Sequence, residues 1–148
     1  MSFLNSLNIV ASGLTAQQQR LDVISENITN SATTRTEQGG AYRRKMVVFE
    51  AQNSGASFRS AMNKAMQKAQ PLQGGVKVTA IVEDPTDFQQ VYDPTHPDAD
   101  ENGFVDMPNV DTVKEITDAM AATQAYSADV TALNTLKSVI SKGLEIGR

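Results

Sequence analysis

Two long stretches without proline, one at each end of the chain, restrict its fold more than any other feature. The first runs from about Phe3 to Asn30, with apolar side chains at Phe3, Leu7, Val10, Leu14, Leu21, Ile24 and Ile28. Leu7, Leu14, Leu21 and Ile28 are spaced by sevens, Val10 and Ile24 supply the intermediate steps, and Gln17 is the polar interruption. This spacing predicts an α-helix, about 42 Å long at ~1.5 Å per residue, with a narrow apolar seam. The flanks Ala11, Gly13, Ala16 and Gln18 are small or uncharged. A two-stranded coiled coil usually carries charged pairs there to choose its partner, so these flanks favour close packing against several helices.

The second stretch runs from about Val110 to Lys142. Its apolar stripe is read as Ile116, Ala119, Thr123, Tyr126, Val130, Leu133, Leu136, Ile140 and Leu144. Asn109 is the expected cap, and Thr112 with Glu115 has capping-box spacing. Asp111, Glu115 and Asp118 suit the positive end of the helix dipole, and Lys137 and Lys142 the negative end. Gly143 offers a left-handed stop.

All five prolines lie in the middle. Strands are expected at Met46–Phe49, at Gly75–Val82, which alternates clearly, and at Phe88–Tyr92. Residues 52–74 are rich in Gln, Ser, Ala and Gly and read as a mobile insertion, with a weak helical stretch near Ser60–Lys68. The expected organisation is a helix over 1–31, a β-rich module over 32–108 and a helix over 109–148. The fold class is α+β: long terminal helices packing as a coiled-coil-like pair or bundle around a small β-rich middle. So small a module cannot cover both helical stripes, which points to packing between chains.

The chain of 148 residues carries 13 Lys plus Arg against 17 Asp plus Glu, a net charge of −4. That balance argues against a nucleic-acid partner. The short cluster Arg43-Arg44-Lys45 reads as a solvated loop or the start of a strand. Without cysteine there is no disulfide, thiolate nucleophile or Cys-type zinc site. No apolar run reaches the ~18 residues of a membrane span, so stable membrane insertion is not expected. The start Met1-Ser2-Phe3-Leu4-Asn5-Ser6-Leu7 lacks the basic and apolar parts of a secretory signal. The protein either stays in the cytoplasm or leaves by a route that needs no such signal.

Signs of chemistry are sparse, and neither catalytic residues, a cofactor nor a metal is expected. The single histidine, His96, lies between Pro94 and Pro97 without a nucleophile-elbow pattern elsewhere, and reads as loop scaffolding. Gly39-Gly40 and Gly74-Gly75 read as turns. Asp98–Asp106 matches a calcium loop at several positions, but Asn109 stands where the closing bidentate carboxylate belongs. Pro94 and Pro97 would also break the entering helix, so this segment reads as a turn.

Two segments carry a resemblance. Ser25-Glu26-Asn27-Ile28-Thr29-Asn30-Ser31-Ala32-Thr33-Thr34 resembles the SxNLANxxT signature of bacterial flagellar rod and hook proteins, with Thr29 where the family usually has alanine. Ala125-Tyr126-Ser127-Ala128-Asp129-Val130-Thr131-Ala132-Leu133-Asn134 is similar to that family's SYQANVxALN segment, with Asp129 replacing an asparagine. The stretches Gly39–Lys45, Gly75–Thr79, Tyr92–Asp100 and Met107–Val110 are similar to the family's proximal-rod members.

The resemblance implies a structural subunit of the flagellar basal body, in the proximal rod that crosses the periplasm. Such subunits are exported by the flagellar type III apparatus without a cleaved signal. Their terminal helices then pack into a helical homo-oligomeric assembly. Implied partners are the rod proteins FlgB and FlgF, the base protein FliE and the export apparatus. The expected assembly interface is Leu7, Val10, Leu14, Leu21, Ile24, Asn27, Ile28 and Asn30 on the first helix. On the second it is Tyr126, Val130, Leu133, Asn134, Leu136 and Ile140.

Overall fold

The computed structural model describes residues 3–37, 39–52, 62, 66 and 74–146. Two long helices bracket two small antiparallel hairpins, an α+β arrangement. Helix α1 spans Phe3–Thr29. Strands β1 (Lys45–Ala51) and β2 (Val76–Glu83) form one hairpin, and β3 (Gln89–Tyr92) and β4 (Phe104–Met107) the other. Helix α2 spans Thr112–Ile146. Most of the expected insertion over 52–74 lies outside the described residues.

The helices run antiparallel, as the order of their meetings shows: Gly13 faces Asp129, Arg20 faces Asp118, and Asn27 faces Glu115. At Gly13 an added Cβ would come within 2.9 Å of the Asp129 carboxylate, so glycine lets the two helices close. The buried apolar side chains Ala16, Val23, Ile24, Ala41, Tyr42 and Ala122 concentrate where the second half of α1 meets the first half of α2.

The β1–β2 hairpin pairs Lys45 with Glu83 and Ala51 with Val76, with a bulge between Val48 and Phe49. It docks on α1 through Ser12, whose hydroxyl donates to Ile9 O (2.7 Å) and accepts the Val76 N–H (3.0 Å). Gly75 makes this docking possible, since a Cβ there would fall 1.8 Å from Ser12 Oγ.

Strand β4 begins inside the segment read as a turn. The turn is real but shorter: Asp100 Oδ1 accepts the N–H groups of Asn102 (2.9 Å) and Phe104 (2.7 Å), and Gly103 takes a φ of +81°. The strand then starts, burying Val105 and placing Phe104 edge-on to Tyr92 at 5.3 Å.

Both ends of α2 differ from expectation. Its cap is Asp111, whose Oδ1 accepts the N–H groups of Val113 (3.0 Å) and Lys114 (3.2 Å). Asn109 faces the hairpins instead, and the helix runs through Gly143 to Ile146. Among the described residues, no helix is long and apolar enough to cross a membrane.

Candidate functional site

Asn27 is 1 % exposed and every polar atom of its amide is used. Its Nδ2 donates to Lys45 O (2.9 Å) and Glu115 Oε2 (3.1 Å), while Oδ1 accepts the Lys45 N–H (2.9 Å) and the Tyr42 hydroxyl (3.0 Å). One side chain therefore joins α1, the segment entering β1, and α2.

Glu115 is fully buried and would be costly without a counter-charge. Arg44 supplies it, with Nε and Nη2 both 2.7 Å from Glu115 Oε1. Nη1 of Arg44 reaches Asp84 Oδ2 at 3.3 Å. Burial opposes the charge of Arg44, but the hydrogen bond and charge of Glu115, with a lesser share from Asp84, hold the guanidinium above its ordinary value. The Thr86 N–H and hydroxyl, and then Arg44, hold the Asp84 carboxyl below the usual carboxylate range. Burial first, and then the charges of Glu26, Glu115 and Glu83, pushes the Tyr42 phenol up to about 12.

The segment read as a solvated loop or the start of a strand is thus divided. Arg44 is interior, and its N–H donates to Asn109 Oδ1 (2.8 Å). Arg43 stacks 4.5 Å over the Phe88 ring and donates to Asp84 O and Thr86 O. Lys45 begins β1 and pairs with Glu26. Glu115, expected in a capping box, is turned inward instead.

Leu7, Val10, Leu14, Leu21 and Ile28 lie along one side of α1, all half-buried. They flank the line through Gly13, Arg20 and Asn27 that α2 meets. Gln17 shares their side, and its Oε1 is buried without a hydrogen-bond partner among the described residues. Ile24 and Asn27 are buried inside the chain. Asn30 is half-buried and helps to end α1, donating to Glu26 O at 2.9 Å and accepting from Thr33 Oγ1 at 3.2 Å.

On α2, Val130, Leu133, Leu136 and Ile140 are half-buried, and Tyr126 and Asn134 are exposed. Ile116, in the expected stripe, is 52 % exposed and the neighbouring Met120 is 70 % exposed. Glu115, Ala122 and Ala125 face inward in this part of the helix. Periodicity missed this rotation because alanine and a paired glutamate carry almost no apolar signal.

His96 serves its loop, with Nδ1 accepting the Asp98 N–H at 3.1 Å. Asp98 accepts from Thr34 (2.8 Å) and pairs with Arg35. Among the described residues no group of three or more His, Asp or Glu side chains is placed to hold a metal ion. The arrangement is suited to holding elements together and presenting a surface.

Comparison with known proteins agrees with that reading. A family profile described as "Flagella basal body rod protein" matches residues 7–35, and one described as "Flagellar basal body rod FlgEFG protein C-terminal" matches residues 101–146. The flagellar basal-body rod protein FlgC of Bacillus subtilis (strain 168) is 47 % identical over 152 residues, covering 100 % of both chains. The protein of the same name from Escherichia coli O157:H7 is 40 % identical over 148 residues, again 100 % of both. That of Borreliella burgdorferi is 37 % identical over 150 residues, 99 % of this chain and 98 % of its own.

Proposed function

The chain belongs to the flagellar basal-body rod protein FlgC family, a family of structural, non-enzymatic proteins, and on that premise we propose how it builds the rod. It polymerises through α1 and α2 into the helical proximal shaft that crosses the periplasm. The side of α1 bearing Leu7, Val10, Leu14, Leu21 and Ile28 receives helices of neighbouring subunits, and the part of α2 around Tyr126 and Val130 does the same. Head-to-tail contacts whose rotation does not close a ring give such an open array.

One observation carries this reading: α2 packs beside the leucine seam and leaves it half-covered. Asn27 and Ile24 take part indirectly, by fixing the shape of the subunit. The neighbours are further copies of this chain, FlgB, FlgF and FliE, and the chain reaches them through the flagellar type III apparatus without a cleaved signal.

Leu21→Asp tests the proposal. Leu21 is half-buried in the single chain, so the variant keeps its far-UV helicity. In the assembly the aspartate enters a dry seam without a counter-charge, and rods do not form. Normal rods in cells carrying only this variant refute the interface.

A further inference from the structure

Neither helix buries its full apolar side against the other. On α1 the line facing α2 contains Gly13, Arg20 and Asn27, while the next residue in each case, Leu14, Leu21 and Ile28, is apolar and lies about 100° further round the helix. On α2, Glu115 and Ala122 are fully buried while Ile116 and Met120 stand open. The junction buries Ala16, Val23, Ile24 and Ala122, and burial of apolar area is non-directional, so it does not by itself separate this packing from one with α2 rolled onto the leucines. A directional interaction can decide between them.

We propose that the Asn27–Glu115–Arg44 cluster is a face selector: it pins α2 to the Gly13–Arg20–Asn27 line of α1 and so keeps the leucine seam free for other subunits. The geometry allows little else. Glu115 is fully buried and, among the described residues, its counter-charge is Arg44. Asn27 meets Glu115 and the β1 entrance at once, so rolling or sliding α2 would break the contact to Glu115 and strand its charge. Buried polar groups can specify one arrangement among several of similar apolar content, at some cost in stability. Asn27 is in this sense a positioning residue. The purpose assigned to the selection rests on the proposed rod assembly, but the selection itself is a property of the single chain.

The absence of cysteine makes the test clean. A Gly13→Cys/Asp129→Cys pair reports the native face, because a Cβ at Gly13 lies 3.4 Å from Asp129 Cγ. This pair is placed in the otherwise unaltered chain and in one carrying Asn27→Leu, Arg44→Met and Glu115→Leu, an apolar replacement of the whole cluster. Both are oxidised as dilute single chains. The inference expects the replaced chain to keep its far-UV helicity and its disulfide yield to fall at least threefold. A smaller fall overturns the inference, because the face is then chosen without the cluster. Loss of helicity also overturns it, because the cluster is then a condition of folding. Neither outcome touches the rod reading, which Leu21→Asp tests in the assembly.

Discussion

Removing the guanidinium of Arg44 should destabilise the junction between the helices and the first hairpin. Arg44 is 13 % exposed and Glu115 0 %, so Arg44→Met leaves a carboxylate with the Asn27 amide as its remaining partner in the cluster. Breaking a buried ion pair from one side costs about 3–5 kcal/mol. The lower end, about 3 kcal/mol, applies because the guanidinium side of the site is partly open and Asp84 keeps its bonds from Thr86. For a chain of this size each kcal/mol lowers Tm by roughly 2–4 °C, so the melt followed by circular dichroism should move down by about 6–12 °C. Arg44→Met/Glu115→Leu removes both charges, and its Tm should return most of the way, since apolar replacement of a whole buried pair is often near neutral. A fall below about 2 °C in the single variant, or a double variant less stable than the single, would refute the argument.

Two other outcomes follow from single contacts. Gly75→Ala places a methyl against Ser12, 2.7 Å from its Cβ, and should cost about 1–3 kcal/mol by overpacking. Ser12→Gly in the same chain should restore part of that loss in a urea titration, and no restoration would show that the clash is not the cause. The raised pKa of Tyr42 means that the fold favours the neutral phenol; this contribution is complete below an unfolded value of ~10 and is lost as pH rises through about 12. Absorbance at 295 nm should show that Tyr42→Phe removes a step near pH 12; removal of a step near pH 10 would mean that the phenol is not buried as described.

The helices and their length were legible because Leu7, Leu14, Leu21 and Ile28 keep a strict period that no loop would sustain. The contact between them was not. Glu115 looked like a capping residue because capping and burial both tolerate a glutamate at that spacing, and only Arg44, 71 positions away, decides between them. Arg44 itself read as part of a solvated loop or the start of a strand for the same reason. Strand β4 was hidden because Asp100, Asn102 and Gly103 dominate the local signal, while Val105 alone marks the buried face. The segment around Asn27 was legible as important, but through resemblance; that its amide is saturated within the chain depends on Tyr42, Lys45 and Glu115 arriving together.

A density map of the assembled rod tests the central claim most directly. The account predicts Leu14 and Leu21 within about 4 Å of helices from neighbouring subunits, with Asn27, Arg44 and Glu115 still joined inside each subunit. A map in which the leucine seam faces solvent, or is covered by the α2 of its own chain, would contradict it.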